Sequence, residues 1–308
     1  MSYAQGRLIH DADSHLMELD DCLDPYFEKA LLARFHASPG YRTALARNLR
    51  PGRSRAAHVD PAFRAGVDAN LMLRKNYEAH GAFIPADRPH ALDLMGFASQ
   101  LVFTTSQAQE AGIPVLFHVG GEDKLNPVYK HNGLPAVPDF HGGDDNFTSV
   151  SYMPIPSAVM QTLATLIFDG VFDRFARLKW GAIELGASWL PGWMRVMDSA
   201  ALAFMRNETR LQKLSAKPSE LVQRQLRVTP YPHEDAGWIV AQAGPDVALF
   251  SSDYPHVEGG RHPLKRFDES LQGCAPDAVQ RFYADNFIDL MGSGLAPGLR
   301  RPVQLVAA

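Results

Sequence analysis

The sequence predicts an α/β fold built on a parallel sheet, and three observations carry that reading. Short apolar runs rich in β-branched and aromatic residues recur along the chain and end in polar residues or glycine, as buried strands do. Apolar or amphipathic stretches of helical length stand between those runs. No internal repeat or low-complexity tract breaks the rhythm.

The first strand spans residues 8–13, where Leu8-Ile9-His10 leads into Asp11-Ala12-Asp13-Ser14-His15. Side chains alternate along a strand, which puts Asp11, Asp13 and His15 on one face. Carboxylate oxygen and neutral imidazole nitrogen are natural ligands of a divalent cation. Taken alone, the stretch also reads as a loop of turn-forming Asp and Ser. Further strands are expected at 100–104, 114–118, 180–185, 227–231 and 247–253. Helices are expected at 157–168, opened by a Ser cap, at 193–206 and at 278–290. In 193–206, Met194, Met197, Ala201 and Met205 recur at helical spacing.

Two regions leave this rhythm. Residues 36–90 are rich in Arg, Pro, Gly and His, and residues 121–156 in Gly, Pro and Asp. Long excursions in a compact domain are usually functional lids or disordered segments, and both are expected on the face that carries the site. The whole chain, 1–308, reads as one domain.

With 308 residues and 46% hydrophobic content, the chain can bury a large core. A net charge of -4, with scattered Lys and Arg, gives no footprint for nucleic acid. Cys22 and Cys274 form no framework, and the start lacks the pattern of a signal peptide. No apolar run reaches the roughly 18 residues of a membrane span. The expectation is a cytoplasmic protein without membrane or nucleic-acid partners.

Chemistry gathers at the strand ends. Asp13 and His15 follow the first run, His118 follows Val115-Leu116-Phe117, Glu184 sits between Ile183 and Leu185, and Asp253 follows Leu249-Phe250-Ser251-Ser252. Any one of these is an ordinary structural residue by itself, although an unpaired buried Glu is costly. In a barrel of parallel strands the carboxyl-terminal ends meet on one face, where active sites sit. Five such residues at equivalent strand positions then share one pocket and point to a metal site.

The motifs Asp11-Ala12-Asp13-Ser14-His15, Phe117-His118-Val119-Gly120, Glu184-Leu185-Gly186-Ala187-Ser188-Trp189-Leu190-Pro191 and Ser252-Asp253-Tyr254-Pro255-His256 resemble the amidohydrolase superfamily. The match is with its amidohydrolase-related branch, which holds aminocarboxymuconate-semialdehyde and resorcylate-type decarboxylases. The resemblance runs from residue 8 to about 290. It implies a TIM-barrel-like metal-dependent hydrolase fold, with one divalent metal held by Asp13, His15, His118 and Asp253. Asp13 stands where many relatives carry His or Glu, which makes the site richer in oxygen and favours Mn²⁺ or Zn²⁺, with Mg²⁺ open. Glu184 stands where several relatives place a His, leaving it as orienter, extra ligand or proton carrier. A full barrel would place two more strands between 100–104 and 114–118, where only residues 105–113 intervene. The fold is therefore expected to be abbreviated by about two βα units.

Asp253, Glu184 and His256 are the candidate catalytic residues, with His256 read either as a contact to a substrate carboxylate or as an ordinary loop histidine. His233 either faces the pocket or forms a surface pair with its acidic neighbours. Trp189, Trp193 and Met194 read as core packing. No Gly-x-Ser-x-Gly elbow and no Gly-x-Gly-x-x-Gly turn is present, which disfavours a serine hydrolase and a dinucleotide enzyme. The resemblance points to non-oxidative decarboxylation of a small aromatic or unsaturated carboxylic acid. Hydrolysis of an amide, ester or lactone at the same site is the alternative, and a non-catalytic truncated relative is the third reading. A homo-oligomer is possible on this reading.

Overall fold

The computed structural model describes residues 3–17, 19, 29–37, 51–104, 115–119, 129, 133, 135, 148–256 and 258–300. Among them are the strands β1 (His10–Leu16), β2 (Ser99–Thr104), β3 (Val115–His118), β4 (Trp180–Ile183) and β5 (Leu226–Val228). Every ladder is parallel: β1 with β2, β3 with β4, and β4 with β5.

Residues 247–253, expected as a strand, form no regular ladder, but with Tyr254 they close the gap between the two sheets. Parallel bridges join Val228 to Ala248 and Ser14 to Tyr254. Main-chain bonds run from Leu249 N to Val228 O, Ala12 N to Phe250 O and His15 N to Tyr254 O. The spatial order is therefore β2, β1, this closing segment, β5, β4, β3. That continuous parallel layer with helices around it is a TIM-barrel-like α/β arrangement. The expected absence of two βα units falls on residues 105–114, outside the described residues.

Nine helices of eight residues or more occur among the described residues: α1 (Lys29–His36), α2 (Pro51–His58), α3 (Pro61–Ala69), α4 (Arg88–Met95), α5 (Ser157–Phe168), α6 (Leu190–Phe204), α7 (Pro218–Gln225), α8 (Ala236–Ala243) and α9 (Pro263–Ser270). The 36–90 excursion is thus largely helical in its described part. Local signals mark where its helices begin and end. Asp60 accepts a bond from Ala62 N at the start of α3, Pro61 opens that helix, and Gly96 ends α4 in a left-handed turn. Of the 121–156 excursion, residues 121–128, 130–132, 134 and 136–147 lie outside the described residues.

The core sits between the sheet and helices α5 to α9. Leu163 and Ile167 of α5, Trp193, Met194 and Met197 of α6, and Ile239 of α8 pack with Trp180, Ala182, Leu226 and Val228. Each fully buried Leu or Ile side chain contributes about 1.5–3 kcal/mol. The expected helix 278–290 is a run in which α-helix over Pro276–Gln280 and Asn286–Met291 flanks a π-helical turn, Arg281–Asp285. No helix among the described residues is long and apolar enough to cross a membrane.

Candidate metal centre

β1 does not alternate along its whole length. Its register against β2 slips between Asp11 and Ser14, and such a bulge re-aims side chains. Asp11, expected beside Asp13 and His15, is turned away from them. Its carboxylate accepts from Ser252 N (2.8 Å), Ser252 Oγ (2.5 Å) and Gln100 Nε2 (3.0 Å). Burial pushes that carboxyl up to about 7. Asp11 fastens β1 to β2 and to the closing segment and is no part of the cluster.

Asp13, His15, His118, Glu184, Asp253 and His256 do come together, at the carboxyl-terminal ends of the strands. One donor atom from each of Asp13, His15, His118 and Glu184 lies within 4.8 Å of the others, and the same holds for His15, Glu184, Asp253 and His256. The expected quartet of ligands is spread over these two overlapping groups, and Glu184 belongs to both. His15 Nε2 lies 3.1 Å from Asp13, 3.4 Å from Glu184 and 3.4 Å from Asp253. His118 Nε2 lies 3.0 Å from Glu184 and 3.5 Å from Asp13. His256 stacks on His15 with ring centres 3.9 Å apart, and its Nδ1 is 3.2 Å from Asp253.

Two of these acids hold unusual backbone. Glu184 and Asp253 have φ of +54° and +49°, a left-handed conformation that costs a non-glycine residue about 1–3 kcal/mol. Surrounding bonds enforce it. Glu184 N donates to Thr229 Oγ1 (2.9 Å), and Tyr231 Oη donates to Glu184 O (2.7 Å). Glu234 accepts from Tyr231 N, Ala187 N and Ser188 N, which binds the turn after β4 to the loop after β5. Asp253 N donates to Asp13 O (2.9 Å). The Nδ1 of His118 bonds the Val119 carbonyl at 2.8 Å, which orients Nε2 toward the acids, as in many metal-ligating histidines. Arg88 reaches across from α4 to Ser14 Oγ (3.1 Å) and to the carbonyl of His15.

The charges of the cluster act strongly on one another. Burial opposes protonation of His15 and His118, yet the neighbouring carboxylates outweigh it and push them up to about 12 and about 10. Burial also disfavours ionised Glu184, but bonds from His118, His15 and His256 hold its pKa well below the ordinary range. Burial and the Glu184 charge raise Asp253 to about 6. Both carboxylate oxygens of Asp13 and of Asp253 are buried without a well-formed hydrogen bond. Three buried carboxylates facing imidazole nitrogens must share either protons or a cation. Each of the two overlapping groups offers four donors of a kind that fits a divalent cation.

Sequence reasoning missed the supporting residues Thr229, Tyr231, Glu234, Arg88 and Lys75. Glu234 stands next to His233 in a stretch read for its imidazole, which in fact is exposed and stacks on Tyr231. Lys75 gives no motif at all, but its Nζ is buried without a hydrogen-bond partner. Burial lowers its pKa to about 8, against the attraction of Asp253, Glu258 and Asp11.

A solved amidohydrolase from Mycobacterium avium subsp. paratuberculosis K-10 is 27% identical over 58% of this chain and 42% of its own, with a TM-score of 0.45; this chain thus spans under half of that structure's length. A dihydroxybenzoic acid decarboxylase from Polaromonas sp. JS666, solved with manganese and 2-nitroresorcinol, is 14% identical over 94% of this chain and 98% of its own, with a TM-score of 0.46. A 5-carboxyvanillate decarboxylase from Novosphingobium aromaticivorans DSM 12444, solved with manganese, is 16% identical over 93% and 96%, with a TM-score of 0.47. The comparison with curated proteins gives no match. The family model described as Amidohydrolase matches residues 43–290. That stretch is most of the chain and contains His118, Glu184, Asp253 and His256, so the donors converging at the strand ends and the sequence match point the same way: this protein belongs to the amidohydrolase family.

Proposed function

We propose that this chain is a metal-dependent carboxy-lyase that removes CO₂ from a small aromatic or unsaturated carboxylic acid. The observation that carries the reading is the buried cluster of Asp13, His15, His118, Glu184, Asp253 and His256, with carboxylate oxygens lacking hydrogen-bond donors. Asp13, His15, His118 and Asp253 would hold the cation, with Glu184 close enough to serve as a further ligand. Mixed carboxylate and imidazole donors suit Mn²⁺ or Zn²⁺. When bound, such a cation polarises a substrate oxygen and lowers the charge barrier to reaction.

The chain's own residues supply the rest. The buried ammonium of Lys75 has no bonded counter-ion among the described residues and so favours an anionic substrate. As the bond to the departing CO₂ breaks, its electron pair stays on the ring or enol carbon, and that carbon must take a proton. Asp253, 3.2 Å from His256 Nδ1, can carry that proton and be recharged through His256. The same Asp253–His256 pair supports a second reading, a hydrolase, in which Asp253 accepts a proton from attacking water.

Asp253→Asn is expected to lower turnover by about 10²–10⁴-fold, the usual share of a general acid or base, while the chain stays folded. Product analysis in ¹⁸O-labelled water separates the two readings. CO₂ release without label in the organic product supports the lyase, and label incorporation supports the hydrolase. Full turnover by Asp253→Asn would overturn the assignment of that residue.

A further inference from the structure

A second set of imidazoles lies outside this centre, in the helical excursion between β1 and β2. Asp68 near the end of α3, His80 in the loop that follows, and His90 in the first turn of α4 each offer a donor atom, all within 4.8 Å of one another. One oxygen, Asp68 Oδ1, stands 2.8 Å from His80 Nε2 and 3.0 Å from His90 Nε2. His80 is fully buried, whereas Asp68 and His90 are 39% and 46% exposed at the side chain. The donors therefore meet at the surface, anchored by one rigid ring and open to water on the other side. That is the layout of a metal seat with exchangeable positions.

His58, His80 and Asp87 also bring donor atoms within 4.8 Å of one another, but Arg64 occupies both oxygens of Asp87, at 2.9 Å each. The same bonds draw the Arg64 guanidinium charge onto Asp87. Asp68 has no arginine or lysine partner among the described residues' ion pairs.

We propose that Asp68, His80 and His90 form a second metal site, separate from the centre at the strand ends, for a late first-row divalent cation such as Zn²⁺. Two imidazoles and one carboxylate suit that class better than Mg²⁺ or Ca²⁺. Binding through each Nε2 replaces their shared contact with Asp68, and the 3.2 Å contact of His80 Nε2 with the Arg64 carbonyl, by a cross-link between α3, the loop and α4. That cross-link bears on the strand ends. The carbonyl of His80 accepts from Tyr254 Oη at 2.9 Å, Ala82 O accepts from Met17 N at 2.6 Å, and Arg88, two residues before His90, bonds Ser14 and His15. A cation in this seat braces the excursion against both β1 and the closing segment.

The test is the zinc stoichiometry of the full chain, measured by equilibrium dialysis with elemental analysis. Two equivalents are expected for the unaltered protein, and His90→Ala and the near-isosteric Asp68→Asn should each remove one or weaken it at least about tenfold. In an Asp253→Asn background, one equivalent should persist and be lost on adding His90→Ala. Zinc binding unchanged in number and affinity by both His90→Ala and Asp68→Asn would overturn the proposal. Loss of the Asp253-dependent equivalent alone speaks only to the centre at the strand ends, so the two sites stand or fall separately.

Discussion

Glu184 stands at the crossing of the cluster, within 3.0 Å of His118, 3.4 Å of His15 and 3.8 Å of His256. Its charge faces the imidazoles, while its backbone is held by Thr229 and Tyr231. An amide of the same shape would keep the backbone bonds and lose the charge. Glu184→Gln is therefore expected to weaken metal binding by about 10–100-fold, the usual cost of disturbing a ligand or its orienting partner, with little change in melting temperature. Calorimetric titration with Mn²⁺ checks this, and an unchanged affinity would place Glu184 outside the metal's reach. The residues legible in the sequence were those whose chemistry conflicts with their setting, such as an acid or imidazole following an apolar run. Thr229, Tyr231 and Glu234 were not legible, because they act on backbone atoms more than forty residues away, as Tyr231 does on Glu184 O, and ordinary loop residues look the same.

At the scale of elements, the sequence pattern located strands well where a ladder exists and poorly where one does not. β2 and β3 and helix α5 fall almost where apolar runs place them. The closing segment has the composition of a strand, yet only isolated bridges tie it to β5 and β1. Its path is set instead by Asp11 bonding Ser252 and by close approach of a later turn. That approach needs glycine. A Cβ on Gly259 would lie 2.0 Å from Ser252 O and 3.1 Å from the Asp253 Cβ, so nothing larger fits without moving the backbone that aims Asp253. Gly259→Ala should cost about 1–3 kcal/mol, as overpacking does, and should lower metal content as well. Gly192→Ala, where an added Cβ meets nothing within 4 Å, is the control, measured by urea denaturation and elemental analysis. Equal stability and metal content in the two variants would show that the closing segment tolerates a shift. The bulge in β1 and the helices of residues 51–95 were hidden for a related reason: register slips and proline or cap signals leave no periodic trace in hydrophobicity.

The molecule as a whole is tied together through its first strand, and His10 shows how pH acts on that tie. His10 on β1 bonds Ser99 Oγ of β2 at 2.8 Å and stacks on Phe287 of the C-terminal helical run, with ring centres 5.3 Å apart. Its Nε2 is buried without a hydrogen-bond partner. Burial lowers its pKa from 6.5 to about 4, only partly offset by Asp285. The folded chain thus resists a proton that the unfolded chain accepts below about 6.5. By linkage, the stability from a neutral His10 is complete above that value and is lost as pH falls toward 4. Asp11, raised to about 7, acts with the opposite sign over part of this range, so the total stability of one chain does not isolate His10. The difference between two chains does, since both carry Asp11. A non-titrating His10→Gln chain should trail the unaltered protein by a constant margin above about pH 7, and that margin should shrink between pH 6.5 and 4. Urea denaturation of both proteins across this range, with metal removed to silence its own pH dependence, reads the effect directly. Parallel stability curves would mean that the folded protein accepts a proton on His10 as readily as the unfolded chain, and that the contact between β1, β2 and the C-terminal run is open enough to hydrate it.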